Sequence, residues 1–152
     1  MFYPKYPQWE LHIYGDGPAA KDIHENGVIC HGFQQPEVIS DAMHKARFLM
    51  LPSRNEHWGL VVCEAAQAGC GLLLSSAVGS HEDLLTKENG RLFAPRSVHQ
   101  IDAAMQWAVC LASEELRGME SKSRALGYCF TPVAWAHTMK RILADCDARN
   151  LH

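Results

Sequence analysis

The sequence predicts an α/β protein in which an open, doubly wound, mostly parallel sheet carries helices on both faces. Three observations predict it. Runs such as Phe48-Leu49-Met50-Leu51 and Leu72-Leu73-Leu74 are apolar at every position, so both faces of such a strand need cover. Segments of helical period alternate with these runs, supplying that cover and the crossover connections of a parallel sheet. The 152 residues suit one domain able to bury roughly 68–70% of its unfolded surface, and are too few for a barrel of eight βα units, which needs about 250.

The elements follow in order. Trp9-Glu10-Leu11-His12-Ile13-Tyr14 is a short apolar-rich run closed by Gly15-Asp16-Gly17-Pro18, a strand followed by a tight turn. Gly27-Val28-Ile29-Cys30-His31 reads as a second strand, closed by Gly32. A helix is expected over 36–46, because Pro36 suits a first-turn position and Val38, Ile39, Ala42, Met43 and Ala46 recur at helical spacing. Phe48-Leu49-Met50-Leu51 is a strand stopped by Pro52-Ser53, and a helix over 58–68 leads to the buried strand Leu72-Leu73-Leu74. Leu84-Leu85 is placed in a short helix, and Asn89-Gly90 turns the chain into Arg91-Leu92-Phe93. Ser97 and Gln100 read as a capping box for a helix over 98–112, with Ile101, Met105, Ala108 and Ala112 on one face. Ser113 with Glu114 and Glu115 opens the next helix, and Thr131-Pro132 opens the last, which runs to about 148.

Composition excludes several function classes. A hydrophobic share of 47% and four Trp exclude a disordered chain. A net charge of −3 with scattered Lys and Arg argues against a non-specific nucleic-acid surface. The longest charge-free run, 65–81, is broken by Gly69, Gly71 and Gly79 and is too short to span a bilayer. Residues 1–7 lack the apolar core of a signal peptide, so the chain is expected in the cytoplasm with its six Cys reduced. There is no C-x-x-C pair and no His pair at ligand spacing on a helix face, so no metal site is expected.

The segment that carries chemistry runs from Leu51 to Ala65. In an open parallel sheet, ligands bind outside the carboxyl ends of the strands. Residues 53–59 occupy that place, between strand end and helix start. The free backbone amides of Trp58, Gly59 and Leu60 would form a partial positive pole suited to a phosphate. Gly59 removes a Cβ where a ligand approaches the backbone. Glu56 lies in the loop beside that pole, and Glu64 lies on the helix several residues in. Carboxylates accept strongly from vicinal hydroxyls, so two of them beside an anion pole suggest a sugar linked to phosphate. Spacing alone leaves a second reading open: a loop Glu near a helix start and a solvent-facing helix Glu.

A Pro-Ser followed by Glu56, seven residues, Glu64-Ala65 and a Gly-containing turn into a buried strand resembles the donor-binding motif of retaining GT-B glycosyltransferases of family 4, group 1. The resemblance covers most of the chain. Ile13-Tyr14-Gly15-Asp16-Gly17-Pro18 looks like the family's strand and turn, and Val28-Ile29-Cys30-His31-Gly32 like its next strand. Val78-Gly79-Ser80 through Asp83 is similar to its small-residue turn followed by an acid, and residues 89–95, from Asn89-Gly90 to Ala94-Pro95, to its turn into the last strand.

By that resemblance residues 1–152 are an incomplete donor-binding domain, the Rossmann-like C-terminal half of a GT-B fold without its first strand. Glu56 is the candidate catalytic residue and contacts donor-sugar hydroxyls. The backbone at His57, Trp58, Gly59 and Leu60 holds the diphosphate, and Glu64 binds the ribose. Gly15, Gly32 and Phe33 line the nucleotide crevice. The implied donor is a nucleotide diphosphate sugar, the acceptor a hydroxyl of a glycan or lipid, and the retaining chemistry needs no metal and no cofactor. The implied partners are an acceptor-binding N-terminal domain or a separate chain supplying it, and the implied location is cytoplasmic or peripheral to the inner membrane face. Alternatives are a nucleotide-binding remnant without catalysis and one subunit of a split enzyme.

The chain also departs from the pattern. Gly69-Cys70-Gly71 replaces the family's Gly-x-Pro, which suggests a looser turn, and Gly79-Ser80 replaces Gly-Gly. Asp83 stands where the family has Glu; it also fits a helix-start acid in a box begun by Ser80. The Arg and Lys that clamp the diphosphate in the family lie on the absent first strand and helix; Arg54 and Lys87 are the basic residues near the expected crevice, neither stands at the clamp position, and both are expected to face solvent. Without that strand its two neighbours should pair directly or leave a slot, with self-association expected through the open edges. His57 reads as a loop residue, while His81 stands either near the sugar or in a plain turn. Trp58 is expected under the helix start, Trp107 and Trp135 in the core or a domain contact, and Cys63 and Cys70 as buried small hydrophobes. The last helix is expected to expose an apolar side containing Trp135, Met139, Ile142 and Leu143.

Overall fold

The alternation of Leu72, Leu73 and Leu74 across one strand sets the architecture. The computed structural model describes residues 5–149; residues 1–4, part of the stretch compared with a signal peptide, and 150–152 lie outside it. In β4 (Gly71–Ser75) every residue is buried, Leu72 and Leu74 in one apolar cluster and Leu73 in another. β3 (Phe48–Leu51) runs parallel beside it and alternates in the same way. Its Leu49 and Leu51 join the first cluster, while Phe48 and Met50 join the second. β5 (Gly90–Phe93) lies parallel on the other side of β4.

Helices cover both faces of this sheet. The first cluster draws Met43 from α1 (Pro36–Lys45), Val62, Cys63, Ala65 and Ala66 from α2 (Leu60–Ala68), and Leu126 from α5 (Ser113–Gly127). The second is closed by Ala104 and Ala108 of α4 (Val98–Val109) with Phe93. Short α3 (His81–Leu84) and long α6 (Pro132–Arg149) complete the helices, with 3₁₀ turns at Pro18–Asp22 and Tyr128–Phe130.

A second parallel pair, β1 (Leu11–Ile13) and β2 (Val28–Cys30), is built differently. None of its six residues is buried, and His12, Ile29 and Cys30 are exposed. Apolar cover on both faces therefore holds for β3 and β4 and fails for β1 and β2. Among the described residues no strand pairing joins the two sheets, so direct pairing of β1 with β3 does not occur. The pairs meet through Trp9, whose ring lies 6.2 Å from Phe48 with the Arg47 guanidinium 5.7 Å above it.

The turns show why particular residues are needed. Gly69 ends α2 in the left-handed region (φ 96°), donating to Ala66 O at 3.0 Å while Cys70 N donates to Ala65 O at 2.9 Å. That double bond is a complete Schellman motif, so the turn is tight rather than looser. Gly71 follows because a Cβ there would lie 2.4 Å from Met119 Sδ. Fully buried Asn89 donates to Leu84 O at 2.9 Å and to Ser123 Oγ at 3.2 Å, and accepts from Thr86 N at 2.7 Å. Gly90 beside it admits the Leu72 carbonyl, which would stand 1.9 Å from any Cβ.

Several helix starts differ in detail. Ser97 Oγ accepts from Gln100 N at 3.4 Å, but the Gln100 side chain accepts from Ala94 N, so half of the expected box forms. At α5 the cap residue is Ala112, whose amide donates to Glu115. Ser80 makes no side-chain cap, which leaves Asp83 an exposed acid outside any box. Thr131 Oγ1 accepts from Ala134 N and starts α6 as expected. Trp107 packs against the second cluster, whereas Trp135 is 67% exposed, on the same helix as exposed Met139, Ile142 and Leu143.

All six cysteines are free. Burial raises the Cys63 thiol and pushes Cys70 up to about 11. A thiol reagent at pH 8 will titrate Cys30, Cys110, Cys129 and Cys146 quickly and Cys63 and Cys70 only on unfolding. Asn89→Ala strands the Ser123 hydroxyl and the Thr86 amide and will lower unfolding free energy by about 2–3 kcal/mol in urea titration.

Candidate functional site

The loop after β3 is held by backbone pairing. Glu56 N donates to Ala77 O at 3.0 Å, Gly79 N to Glu56 O at 2.9 Å, and Ser80 N to Trp58 O at 3.1 Å. A parallel bridge between Glu56 and Val78 thus carries the β3–β4 pairing beyond the strands' carboxyl ends. The approach is so close that a Cβ on Gly79 would lie 1.9 Å from His57 O. Gly59 then turns the chain into α2 in the left-handed region (φ 85°), its α-carbon facing the Glu56 side chain and Val78.

Consequently α2 starts without a cap. No side chain bonds its first turn, and the amides of Trp58, Gly59, Leu60 and Val61 have no hydrogen-bond acceptor among the described residues. Uncapped amides at a helix N-terminus carry partial positive charge and suit an anion. Leu60 is 72% exposed at that mouth, and His57 is exposed beside it. Trp58 is half-buried, its ring 5.6 Å from Phe130 and packed against the first cluster, so it props the helix start.

Glu56 is partly buried in its loop and stands immediately before the mouth. Glu64 lies one turn into α2, about 6 Å along the axis from Leu60. It is exposed and lines a cavity of about 520 Å³ between α1 and α2, with Ile39, Met43, Gln67 and Tyr128 among its walls. Glu56 does not line that cavity. The two carboxylates flank one helix start but do not share one enclosed space.

Gly15 and Gly32 are brought together at the carboxyl ends of β1 and β2. Both have positive φ (127° and 66°), and Gly15 N donates to Gly32 O at 2.8 Å. Nothing lies within 4 Å of a Cβ built on either, so the space beside this turn is open. Phe33 follows, 73% exposed.

The structure also corrects and extends the candidate set. Lys87 is exposed in the turn before β5, at the amino rather than the carboxyl ends of the strands, on a cavity with Arg91 and Trp107; it is not a crevice residue. Arg54 is exposed. His81 Nδ1–H donates to Val78 O at 2.6 Å, tying it to the turn that holds Glu56. Sequence reasoning missed a ring stack on the β1–β2 pair. Tyr14 stacks on His31 at 4.5 Å and His31 on His12 at 5.1 Å, with His31 Nε2 and His12 Nδ1 sharing a hydrogen bond at 2.9 Å and His12 Nε2 donating to Glu10. The i, i+2 spacing of His12 and Tyr14 hints at a shared strand face, but His31 joins them only through the Ile13↔Cys30 register. Among the described residues no cluster of three or more His, Cys, Asp or Glu could hold a metal ion, and no helix is long and apolar enough to cross a membrane.

A match to the family model described as glycosyl transferases group 1 spans residues 3–110, most of the chain and every crevice residue named above. The chain belongs to this family. A glycogen synthase of Mycobacterium tuberculosis is 39% identical over 64 residues, covering 42% of this chain and 16% of the synthase. The group 1 chain therefore spans a small part of that relative's length. Among solved structures it resembles a sucrose-phosphate synthase from Thermosynechococcus elongatus, with TM-score 0.74, 20% identity, and coverage of 92% of this chain and 39% of the other. It also resembles the lipopolysaccharide outer core galactosyltransferase WaaB, with TM-score 0.73, 21% identity, and coverage of 90% and 41%. The fold is thus the mixed, parallel α/β layer found in GT-B glycosyltransferases, as expected.

The contact at Gly79 gives a test. Gly79→Ala forces His57 and the turn apart and will lower stability by about 2 kcal/mol or more in denaturant unfolding. Gly118→Ala, at an exposed position of α5 with nothing within 4 Å, will raise it by about 0.5–1 kcal/mol.

Proposed function

We propose that this chain is the donor-nucleotide half of a retaining glycosyltransferase, which moves a sugar from a nucleotide diphosphate sugar to a hydroxyl acceptor of a glycan or lipid. One observation carries the reading: the rung between Glu56 and Val78 holds a carboxylate beside four uncapped amides at the mouth of α2. The diphosphate is assigned to the amides at His57 to Leu60, and the donor-sugar hydroxyls to Glu56. Glu64, on its cavity beside α1, is assigned the ribose hydroxyls. The open turn at Gly15 and Gly32, with Phe33, is assigned the base.

In this scheme the reaction needs no metal or other cofactor. The amides and the helix dipole stabilise negative charge growing on the leaving diphosphate, and a diphosphate oxygen takes the acceptor proton on the same face of the sugar. Glu56 orients the sugar, and the rest of the contribution is positioning. Acceptor binding is assigned to a second domain or a separate chain, because this chain aligns with 39% of the sucrose-phosphate synthase chain and 41% of the galactosyltransferase chain above. The 52–59 and 76–80 loops contain a single Lys or Arg, Arg54, so the diphosphate's second counter-charge is also assigned to that partner. Alone, the chain binds the donor and does not turn it over. The enzyme is placed in the cytoplasm or on the inner membrane face.

Thermal-shift and calorimetric titration with UDP, ADP and GDP and their glucose conjugates checks this. One nucleotide will raise the melting temperature in a concentration-dependent way. Glu64→Ala will weaken that nucleotide about tenfold or more, the loss of hydrogen bonds to a charged acceptor. Glu56→Ala will leave the free nucleotide unchanged and weaken the sugar conjugate. Absence of binding by every nucleotide overturns the assignment, and sugar transfer by the purified chain overturns its dependence on a partner.

A further inference from the structure

A cavity of about 600 Å³ lies away from the α2 mouth, where β5 begins and α4 ends, and the reading above makes no use of it. Its volume falls in the usual range for small-ligand pockets, about 300–1,000 Å³. Arg91, the second residue of β5, is half-buried on its wall with its guanidinium 3.8 Å over the Trp107 ring. Nη1 donates to Lys87 O at 2.8 Å and to Gly90 O at 2.7 Å, which fixes the group in place. Nε and Nη2 have no acceptor among the described residues, and no carboxylate pairs with Arg91 or Lys87.

The acids nearby are already engaged. Glu88 pairs with Lys122 at 2.8 Å, and Glu115 accepts from Ala112 N. Burial lowers the Arg91 pKa, as expected for a cation removed from water without a counter-ion. An anion in the cavity would supply what is missing. A guanidinium fork beside a lysine matches a phosphate in particular, since the fork binds two oxygens and the ammonium adds charge. Leu111, Met119 and Ala125 give the wall an apolar part, beside the polar Ser121 and Lys122.

We propose that this cavity is a second ligand site, for a small soluble phosphate monoester with an apolar body. Its phosphate sits on Arg91 and Lys87, and its body lies against Leu111, Met119 and Ala125. The site is separate from the donor crevice and stands whether or not nucleotide binds there.

Phenyl phosphate serves as the probe, and the indole N–H signal of Trp107, assigned with Trp107→Phe, is the local readout in NMR titration of the full chain. The signal will move saturably, with a Kd of about 1 mM or tighter. Inorganic phosphate will move it more weakly and phenol will not move it. Arg91→Gln will weaken phenyl phosphate at least about tenfold, and exposed Lys87→Ala, which leaves the fold intact, by about threefold. A titration without saturation, or one unchanged by Lys87→Ala and Arg91→Gln, overturns the site. A shift produced by phosphatidylglycerol vesicles and not by phenyl phosphate overturns the soluble ligand in favour of a lipid headgroup.

Discussion

Three backbone hydrogen bonds beyond the ends of β3 and β4 hold the candidate site together. They lock residues 56–58 against 77–80, and they form because Gly79 lets the His57 carbonyl approach where any Cβ would collide. The start of α2 is a consequence. With the loop fixed as a pseudo-strand, Gly59 must reverse the chain through a left-handed conformation, and a glycine there offers no side chain to cap the helix. The exposed amides result from how the loop is anchored. A helix that needed only stability would begin with Ser or Asp; this one leaves its first donors free, a local loss offset by the buried face of α2.

That face is where stability resides. Val62, Ala65 and Ala66 are completely buried, and Gly127 of α5 comes so close to α2 that a Cβ would stand 2.7 Å from Gln67 N. Small residues on both helices permit this approach, and Leu72 and Leu74 fill the sheet side. The helix with these free amides at its start is thus clamped by α5, α1 and two strands. Rigidity in the scaffold lets an under-satisfied helix start persist.

The fold was largely legible in the sequence, and the reasons are local. Leu72-Leu73-Leu74 has to face two clusters, and Thr131-Pro132 and Gly69 mark helix ends by backbone chemistry alone. The site was legible only in part. Glu56, Gly59 and Glu64 stand out by spacing and resemblance, but spacing gives no hint that Glu64 opens onto an α1–α2 cavity from which Glu56 is absent. Lys87 faces solvent as expected, but its distance from the crevice is not legible in the sequence, because the chain crosses from the carboxyl to the amino ends of the strands between α3 and β5. The cap at Gln100 was read as reciprocal because the motif cannot show a competitor, here the Ala94 amide.

The two sheets also divide the labour of the chain. The three-stranded sheet holds both apolar clusters, whereas β1 and β2 bury no residue and are held to each other by three register pairs and a Tyr14–His31–His12 stack. Ring stacking and an edge contact through Trp9 give far less burial than a core, so this pair is the less stable part of the molecule. Yet it contributes Gly15, Gly32 and Phe33, one side of the proposed crevice. A ligand spanning both halves would add its binding energy to the weak link between them. Under the proposed assignment, donor affinity and the ordering of β1 and β2 against the larger sheet would be coupled, each strengthening the other.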